Sequence, residues 1–498
     1  MICVSLGRAR HKRMIAEHQY LVDQGAELVE LRLDFIGRAV NLTRLLHGRP
    51  GPVVVTARRR EDGGRWMKSE QERLMLLRSA IAVGVEYVDI EADVATQIPR
   101  YGTTKRIISF HNFSETPKNL EELHASMSEK DADIVKIATM ANSFSDNARM
   151  MDLVKNAKVP TIGICMGEIG TVTRLLANRY GSPFTYATFK AGKKMAPGLL
   201  DWKEMIELYR YHEIDENTEI FGVIADPVAH SYSPMIHNRA FEDQKLNARY
   251  LPFRVPKSDL PNFLMHCGDL GIRGVSVTIP HKEQALEYCT QAESSVTGIG
   301  AVNTLVFHDR DCLGYNTDYR AAMDCIEETF KIDKTKERPM QGITAMVLGA
   351  GGVSRAIAWG LRQRAAEVLI CSRNYERSQI LAAELGCRPI EWEFRHDARQ
   401  RINLLINGTP VGMHPDVEVS PFDATALNQY MVVFDTVYNP ENTILIKNAR
   451  AAKCRIISGI DMFVRQACYQ YRIFTGRDAP VDLIRKTIKQ ATSPVQLN

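Results

Sequence analysis

Residues 344–361 have the sequence TAMVLGAGGVSRAIAWGL, in which a short apolar run leads into a glycine-rich turn and then into a helical pattern. A second strand pattern follows at residues 367–371. A strand, a glycine-rich turn and a helix in this order are typical of a βαβ unit that binds a dinucleotide, because glycine lets the backbone approach the phosphates. Glycines also end helices and permit tight packing, so the turn by itself predicts a fold rather than a ligand.

The second strand of this unit ends in Ser372-Arg373-Asn374, with Arg377 nearby. An acidic residue at this strand end favours the free ribose hydroxyls of NAD, whereas an arginine favours the 2′-phosphate of NADP. The sequence therefore predicts NADP as the cofactor. The alternative is that Arg373 is a solvated surface charge.

The N-terminal part, residues 1 to about 213, alternates short apolar runs with longer amphipathic stretches. The eight apolar runs are 2–6, 28–33, 53–57, 87–92, 107–110, 134–138, 161–166 and 184–189. Stretches between them, such as 69–83 and 142–155, carry apolar residues three and four apart, as a helix requires. Eight strands alternating with eight helices predict a small (β/α)₈ barrel, followed by a polar linker at residues 209–218.

The segment between the barrel and the glycine-rich unit has a different character. Strand patterns occur at residues 219–224, 248–253 and 274–278, and a Gly-Ala-Val-Asn-Thr segment occupies residues 300–304. A charged, helix-breaking stretch at residues 331–342 separates this part from the glycine-rich unit. A chain of 498 residues has room for about three domains of ordinary size.

The overall composition excludes several classes of protein. Sixty-three basic and 59 acidic residues leave a net charge of +4, so nucleic acid is not an expected partner. No stretch approaches the ~20 apolar residues of a membrane helix, and no secretory leader precedes the first strand pattern, so we expect a cytoplasmic protein. The ten cysteines lack C-x-x-C spacing, which predicts reduced thiols and no metal site.

Within a barrel, the polar residues at the carboxyl ends of the strands carry the function. Glu30, Arg32 and Asp34 alternate with leucines, so their side chains share one face of the second strand. Further candidates are Arg58 after the third strand, His111 after the fifth and Arg174 after the seventh.

Lys136 lies inside the sixth apolar run. An exposed lysine has a pKa near ~10.4, whereas burial and cationic neighbours can lower a lysine pKa by ~3 units. The neutral amine is then a nucleophile that can form an imine with a carbonyl substrate. The alternatives are that Lys136 extends to the rim or pairs with Asp34 or Glu30, and that His111 is structural.

Taken together, these positions resemble type I 3-dehydroquinate dehydratase over residues 1 to about 205. The matching segments are Glu30-Leu31-Arg32-Leu33-Asp34, Thr56-Ala57-Arg58 with Gly63-Gly64, Ser109-Phe110-His111-Asn112-Phe113, Val135-Lys136-Ile137-Ala138, Met166-Gly167 with Arg174, and Ala196-Pro197-Gly198.

This resemblance implies a Schiff base between Lys136 and the substrate ketone. It implies that His111 shuttles protons and that Glu30 orients His111. It also implies that Arg174 holds the substrate carboxylate, with Arg32 and Arg58 as further pocket residues.

The chain departs from this family at four positions. Asp62 stands where glutamate is usual, and Asn112 where aspartate usually follows the histidine. In the loop that closes over the substrate, Met195 and Leu199 replace a serine and a glutamine. If those polar groups bind substrate hydroxyls, their loss costs about 10²-fold in specificity unless Lys193, Lys194 or the second domain substitutes for them.

Two further pairs lie upstream of the glycine-rich turn. Ser231 and Ser233 could hold a carboxylate, or could cap the helix that begins near Met235. Lys282 and Asp318 could form a surface ion pair or a catalytic pair. Taken alone, the two serines are expected to cap the helix, whereas the lysine and the aspartate leave both alternatives open.

With their neighbours, these pairs resemble shikimate dehydrogenase from about residue 220 onward. The matching segments are His230-Ser231-Tyr232-Ser233-Pro234, Gly274-Val275-Ser276-Val277-Thr278 with Lys282, 300–304, Asn316-Thr317-Asp318, 349–352, Asn407-Gly408-Thr409-Pro410, Tyr438 and Gln466-Ala467.

This second resemblance implies a catalytic pair, Lys282 and Asp318, in which the lysine protonates the developing alkoxide. The implied substrate-binding residues are Ser231, Ser233, Thr278, Asn303, Tyr438 and Gln466. The implied cofactor-binding residues are Gly349, Ala350, Gly351, Gly352, Ser372, Arg373, Arg377 and Thr409.

The two resemblances together predict a bifunctional enzyme, because the product of the first reaction is the ketone that the second reduces. The predicted domains are a barrel at 1–213, a substrate-binding domain at 219–318 completed by 463–498, and a Rossmann NADP-binding domain at 319–462. We expect small-molecule substrates, no nucleic-acid or membrane partner, and a monomer. The alternatives are a barrel with another imine reaction, such as aldol cleavage, and a regulatory ligand-binding protein.

Overall fold

The computed structural model describes residues 1–189, 198–229, 231–397 and 401–492. Its contacts divide the chain into two compact units. The first comprises Met1–Ile220 and Asn247–Gly271, and the second comprises Phe221–Leu246 and Ile272–Asn498. Among the described residues, no helix has both the length and the apolar character that a bilayer crossing requires.

The first unit contains the predicted parallel barrel. Its strands are β1 Ile2–Leu6, β2 Leu28–Arg32, β3 Val53–Thr56, β4 Tyr87–Glu91, β5 Lys105–Asn112, β6 Ile134–Met140, β7 Thr161–Met166 and β8 Thr185–Thr188. They pair in the order β7-β6-β5-β4-β3-β2-β1-β8, and every pair is parallel. This nearly closed eight-stranded sheet confirms the barrel prediction.

The prediction of eight barrel helices is wrong by one. The α-helices of the described barrel are α1 His11–Asp23, α2 Leu42–Leu46, α3 Glu70–Ala82, α4 Leu120–Ser128, α5 Phe144–Asn156, α6 Gly167–Leu176 and α7 Trp202–Glu207. Between β4 and β5 the chain forms only a single 3₁₀ turn, Ala95–Gln97. Pro99 and Gly102 follow this turn closely and prevent its extension into an α-helix.

The inner face of the barrel combines apolar and charged side chains. On β6, Ile134 and Ala138 belong to the apolar cluster of the barrel interior. Lys136 is two residues from each of them, so it faces the same interior. Tyr186 on β8 belongs to the same cluster. The interior of the barrel is therefore a packed apolar core that also contains the Lys136 side chain.

The second half of the sequence contributes twelve strands and nine α-helices to the described structure. The strands are β9 Glu219–Ala225, β10 Ala248–Arg254, β11 Ile272–Val277, β12 Gln291–Ala292, β13 Thr304–His308, β14 Asp311–Tyr315, β15 Thr344–Leu348, β16 Glu367–Cys371, β17 Arg388–Ile390, β18 Leu404–Asn407, β19 Val432–Asp435 and β20 Arg455–Ile457. The helices are α8 Ser233–Asp243, α9 Leu260–His266, α10 Ser294–Ile299, α11 Thr317–Phe330, α12 Gly352–Gln363, α13 Tyr375–Leu385, α14 Ile444–Ala451, α15 Gly459–Thr475 and α16 Val481–Thr492.

The glycine-rich segment forms the predicted Rossmann sheet. Its six parallel strands have the order β17-β16-β15-β18-β19-β20. Numbered from β15, this is the order 3-2-1-4-5-6 of dinucleotide-binding folds. Ligands of such sheets bind where the strand order reverses, at the carboxyl ends of β15 and β18.

The remaining lobe of the second unit contains a mixed sheet. Strands β9, β11, β13, β14 and β12 are neighbours in this order, with antiparallel β11–β13 and β13–β14 pairs. Helix α15 packs on β11, β13 and α11, and α16 packs on α8. The C-terminal helices thus return to this lobe after the Rossmann sheet is complete.

The predicted linker is packed rather than exposed. Tyr209, Tyr211 and Ile214 are buried among the polar residues of this segment. Arg249, at the start of β10, donates from Nε to the Tyr209 carbonyl and forms an ion pair with Glu213. The sequence suggested a linker because the polar and charged residues of this segment outnumber its three buried apolar residues, Tyr209, Tyr211 and Ile214.

The segment Asn247–Gly271, which holds β10 and α9, belongs to the barrel unit. Asp259 accepts hydrogen bonds from Ser143 Oγ at 2.7 Å and from the Phe144 amide at 2.6 Å, at the first residues of α5. The Phe144 ring packs on Phe263, with ring centroids 4.6 Å apart. This segment therefore caps and covers a barrel helix.

Candidate active sites

Lys136 lies in a closely defined environment inside the barrel. Its side chain is 7 % exposed, and Nζ donates to Asp89 Oδ2 at 2.9 Å. The Tyr186 ring lies beneath it, with Nζ 4.0 Å from the ring centroid. The lysine therefore pairs with neither of the partners considered from the sequence, Asp34 or Glu30.

Asp89, on β4, is shared between three donors. Arg58 approaches its Oδ1 at 2.7 Å, and Ser109 Oγ donates to the same oxygen at 2.6 Å, while Lys136 holds Oδ2. Burial alone would raise the pKa of Asp89, but Arg58 and Lys136 hold this pKa well below its usual range. Asp89 is thus a fixed anion whose charge is divided between two cations.

The charge of Arg58 is fully compensated. Besides Asp89, its guanidinium donates to Glu91 Oε1 at 2.8 Å, and Glu91 in turn binds the buried Arg73. Burial opposes the charge of Arg58, but Asp89 and Glu91 raise its pKa above the usual value. Arg58 therefore holds the two interior carboxylates, Asp89 and Glu91, in place.

His111 and Glu30 do not form the pair that the resemblance implied. Glu30 accepts hydrogen bonds from Ser5 Oγ at 2.7 Å and Thr56 Oγ1 at 2.8 Å. His111 Nδ1 has no hydrogen-bond partner among the described residues, and its ring stacks on Phe113. Burial, followed by the charges of Arg58 and Lys136, lowers the pKa of His111 well below its usual value. These surroundings favour the uncharged form of the imidazole.

The other two predicted arginines differ sharply. Arg32 is held by Asp34 through two hydrogen bonds of 2.9 Å. Arg174, on α6, is 2 % exposed, its Nε has no hydrogen-bond partner, and it forms no ion pair within the described part of the chain. Burial lowers the pKa of Arg174 to about 10. A buried, uncompensated guanidinium is a binding site for an anion, because desolvation strengthens the attraction.

In the second unit, Lys282 and Asp318 form the predicted pair. Lys282 lies in the turn after β11, and Asp318 lies in the first turn of α11. Lys282 Nζ donates to Asp318 Oδ2 at 2.6 Å, and the two side chains are 14 % and 11 % exposed. The pair is therefore largely enclosed, which argues against a simple surface ion pair.

Asn303 and Thr278 lie on segments that adjoin this pair in the sequence or through backbone hydrogen bonds. Asn303 is buried; its Nδ2 donates to Thr317 Oγ1, and its Oδ1 accepts from the Thr317 amide. The Thr278 amide donates to the Ile224 carbonyl, and the Lys282 carbonyl accepts from the Val302 amide at 2.8 Å. The side chain of Asn303 thus ties the start of β13 to α11.

Ser231 and Ser233 lie on the loop that enters α8. The Ser233 amide donates to Ser231 Oγ at 3.3 Å, which fits the capping alternative for Ser231. Tyr232, between them, meets Tyr438 edge-on at 6.2 Å, and Tyr438 stacks on Phe463 of α15 at 4.4 Å. Gln466 lies one turn further along α15 and is buried. These aromatic contacts bring the serine loop, Tyr438 and α15 together.

The glycine-rich turn has the shape of a phosphate cradle. Gly349 has a φ of +105°, and a Cβ there would meet Ser354 Oγ and Thr409 Cγ2 at 3.0 Å. A Cβ on Gly352 would lie 3.3 Å from Lys282 Cδ. A Cβ on Gly351 would meet nothing within 4 Å, so space lies in front of the α12 N-terminus. The residues present therefore fit a dinucleotide pyrophosphate, and Lys282 adjoins the cradle.

The other predicted cofactor residues divide into two kinds. Ser372 Oγ contacts the Asn374 carbonyl and Ser378 Oγ, and Thr409 Oγ1 donates to Asn407 Oδ1. These hydroxyls shape their loops. Arg373 and Arg377 are exposed and pair with no carboxylate in the described structure, which leaves both free to bind a phosphate.

Comparison with known proteins begins with family models. The model for type I 3-dehydroquinase matches residues 2–216. The shikimate dehydrogenase substrate binding domain matches residues 223–305, and the shikimate 5′-dehydrogenase C-terminal domain matches residues 459–489.

A relative of similar architecture decides the family. The bifunctional 3-dehydroquinate dehydratase/shikimate dehydrogenase, chloroplastic, of Arabidopsis thaliana is 36% identical over 503 residues, which cover 97% of this chain and 83% of the relative. The chain belongs to this bifunctional family. The predicted recognition of both halves is therefore confirmed.

Further relatives match the dehydrogenase half. The shikimate dehydrogenase (NADP(+)) of Methanothermobacter thermautotrophicus is 35% identical and covers 56% of this chain and 98% of the relative. A solved shikimate dehydrogenase in complex with NADP+ has a TM-score of 0.51 and 31% identity, and covers 56% of this chain and 98% of that chain. The enzyme from Aquifex aeolicus has a TM-score of 0.50 and 27% identity, and covers 55% and 98%.

The departures within the dehydratase half have different outcomes. Leu199 is buried in the interior apolar cluster, where a polar side chain would lose its hydrogen bonds to water. Asp62 forms an ion pair with Arg59, and Asn112 Oδ1 accepts from the Ser114 and Glu115 amides. Several quoted positions lie outside the described residues, namely His230, Lys193, Lys194, Met195, Ala196 and Pro197.

Sequence reasoning missed two carboxylates of the dehydratase half, Asp89 and Glu91. They alternate with Val88 and Ile90 along β4, as Glu30 and Arg32 do along β2. The signal was therefore present, but the run 87–92 was interpreted by its apolar members alone.

Proposed function

We propose that this chain dehydrates 3-dehydroquinate to 3-dehydroshikimate in its barrel and reduces 3-dehydroshikimate to shikimate with NADPH in its second unit. Family membership supports both activities. The observation that carries the proposal is the enclosure of two lysine–aspartate pairs, Lys136–Asp89 and Lys282–Asp318, one in each unit.

In the dehydratase half, Nζ of Lys136 attacks the ketone carbon of the substrate, and loss of water gives a protonated imine. The imine withdraws electrons from the neighbouring carbon, so a proton there can be removed and the hydroxyl group beyond it leaves as water. Hydrolysis of the imine then releases 3-dehydroshikimate and the free lysine.

His111 accepts and returns the protons of these steps, because it lies on β5 beside the strand of Lys136 and its Nδ1 has no hydrogen-bond partner among the described residues. Arg174 binds the substrate carboxylate, since its guanidinium is buried and has no ion-pair partner among the described residues. Asp89 holds the lysine nitrogen in place, and Arg58 holds Asp89. Arg32 and Arg58 are further pocket residues of this proposal, and Glu30 is held by Ser5 and Thr56 rather than by His111.

In the dehydrogenase half, the nicotinamide of bound NADPH supplies the hydride. Lys282 Nζ donates a proton to the carbonyl oxygen as it becomes an alkoxide, and its positive charge stabilises that oxygen. Asp318 orients Lys282. Ser231, Ser233, Thr278, Asn303, Tyr438 and Gln466 bind the substrate.

The cofactor residues act through charge and shape. Gly349, Ala350, Gly351 and Gly352 admit the pyrophosphate at the α12 N-terminus, and Thr409 closes the cradle. Arg373 and Arg377 bind the 2′-phosphate of NADP, with Ser372 fixing their loop. NADPH is therefore the expected reductant rather than NADH.

The proposed domains are a barrel at 1–213, a substrate-binding domain at 219–318 completed by 463–498, and a Rossmann domain at 319–462. The chain is proposed to act in the cytoplasm as a monomer on small-molecule substrates, without nucleic-acid or membrane partners. Packing of α15 on β11 and β13 supports the C-terminal completion.

A coupled assay tests both halves at once. Purified protein is given 3-dehydroquinate and NADPH, and the NADPH absorbance is followed. We expect consumption of NADPH and formation of shikimate. If NADPH is consumed with 3-dehydroshikimate but not with 3-dehydroquinate, the dehydratase activity is contradicted. If NADPH is consumed with neither substrate, the reductase activity is contradicted. NADH in place of NADPH tests the cofactor assignment.

A further inference from the structure

Tyr186 is an interior residue of the barrel that none of the assigned roles uses. It lies on β8 opposite Cys3 of β1 and is 4 % exposed. Its ring faces the reactive amine, because Lys136 Nζ lies over the ring at 4.0 Å from the centroid. Phe184 packs on the other part of the ring, with centroids 5.7 Å apart. Tyr186 is therefore fixed in place against Lys136.

The hydroxyl group of Tyr186 has no hydrogen-bond partner among the described residues. Burial raises the pKa of Tyr186 well above its usual value, and Cys3 and Glu30 add to this effect. A buried, unsatisfied hydroxyl is costly, so it favours a ligand that brings an acceptor. The substrate of the barrel, with its hydroxyl groups and carboxylate, is such a ligand.

The ring and Asp89 hold the lysine nitrogen in different ways. Asp89 binds Nζ through an N–H group, and an ammonium has three of these groups. When the nitrogen becomes a protonated imine, a single N–H remains while the positive charge persists. An aromatic face attracts that charge through its quadrupole and requires no N–H. The Tyr186 ring can therefore stabilise the nitrogen in both of its cationic forms.

We propose that Tyr186 is a positioning residue of the dehydratase, whose ring holds the cationic nitrogen of Lys136 through imine formation and whose hydroxyl donates a hydrogen bond to the bound substrate. The inference rests on the proposed dehydratase activity and deepens it. Its two parts are separable, because phenylalanine retains the ring and lacks the hydroxyl, whereas leucine lacks both.

Two substitutions test the two parts. Tyr186→Phe should leave kcat within about threefold of the parent and raise KM for 3-dehydroquinate about tenfold, as for one lost hydrogen bond. Tyr186→Leu should also lower kcat at least about tenfold, as for the loss of a desolvated cation–π contact. The fraction of enzyme trapped by borohydride at saturating substrate should follow kcat, being parental in Tyr186→Phe and reduced in Tyr186→Leu.

Phe184→Leu is the matched control. Phe184 is a buried aromatic residue of the same interior cluster and contacts Tyr186, but does not lie under Lys136. It should change the packing of the barrel and leave kcat, KM and the trapped fraction near the parental values. A melting curve of each preparation reports whether the barrel is folded, and the rate of 3-dehydroshikimate reduction by the same preparation measures the amount of intact chain.

The outcomes separate the inference from the function. If the parent dehydrates 3-dehydroquinate and Tyr186→Leu retains its kcat and trapped fraction, the role of the ring is overturned. An unchanged KM in Tyr186→Phe overturns the role of the hydroxyl, and equal losses in Phe184→Leu and Tyr186→Leu reduce the effect to packing. A parent without dehydratase activity overturns the proposed function and the inference with it.

Discussion

The two units use the same pair of side chains in different surroundings. In the barrel, Lys136 Nζ lies 2.9 Å from Asp89, and in the second unit, Lys282 Nζ lies 2.6 Å from Asp318. Asp89 is shared with Arg58 and Ser109, whereas Asp318 has Lys282 as its ion-pair partner in the described structure. Asp89 thus binds two cationic side chains, Lys136 and Arg58, whereas Asp318 binds one, Lys282.

This difference matches the different tasks proposed for the two lysines. A nucleophilic lysine must leave its carboxylate partner to attack a ketone, and Asp89 keeps Arg58 and Ser109 as partners when Lys136 moves. A proton donor must be held in one orientation, and Asp318 has Lys282 as its ion-pair partner in the described structure. We therefore expect the shared or unshared carboxylate, rather than the lysine itself, to distinguish the two proposed roles.

The largest expected effect follows from removing the barrel lysine. Lys136→Met should lower dehydratase turnover at least about 10⁴-fold, on the scale of a lost covalent nucleophile, and abolish borohydride trapping. Reduction of 3-dehydroshikimate should remain near the parental rate, because that site lies in the other unit. Steady-state kinetics and peptide mapping of the labelled protein measure both effects. The exposed Lys158→Met is the control, and a label retained in Lys136→Met would contradict the Schiff base.

A smaller effect is expected on the other side. Lys282→Ala should lower reductase turnover at least about 10²-fold, the scale of a lost general acid, with little change in NADPH affinity. Fluorescence titration with NADPH and turnover of 3-dehydroshikimate provide the two measurements. Lys336→Ala, an exposed lysine of the same unit, is the control. A near-normal rate for Lys282→Ala would exclude the lysine as the proton donor.

The smallest expected effect concerns how each site holds a carboxylate. Arg174→Gln should raise KM for 3-dehydroquinate about 30-fold, because a buried charge-assisted hydrogen bond is lost. Ser231→Ala should raise KM for 3-dehydroshikimate only about fivefold, since a neutral hydroxyl contributes less. KM values of both variants with both substrates measure this contrast. Equal effects would show that burial of Arg174 adds nothing to binding.

The fold was largely predictable because it depends on local patterns. The eight apolar runs of the barrel and the strand–turn–helix around Gly349 each signal their structure within a few residues. The 3₁₀ turn Ala95–Gln97 was mistaken for a helix because its sequence position, between two strands, suggested one. The buried tyrosines near residue 210 were overlooked for a similar reason, since their acidic neighbours dominate the composition.

Partnerships between side chains were much less predictable. The sequence placed Lys136, His111, Glu30 and Arg58 in one interior, but contacts across a barrel depend on the stagger of strands far apart in sequence. Glu30 therefore proved to bind Ser5 and Thr56, and the partner of Lys136 proved to be Asp89. In the second unit, the resemblance named Lys282 and Asp318 together, and the structure joins them directly.

The segment that carries β10 and α9 has a consequence for any attempt to separate the two enzymes. A chain severed after residue 220 would retain all eight barrel strands but would lose Asp259, the acceptor for the first amide of α5, and the ring that covers Phe144. Such a fragment would expose an apolar helix end on the outside of an otherwise complete dehydratase. The barrel unit is thus completed by a segment, Asn247–Gly271, that lies beyond its own eight strands and inside the sequence of the dehydrogenase half.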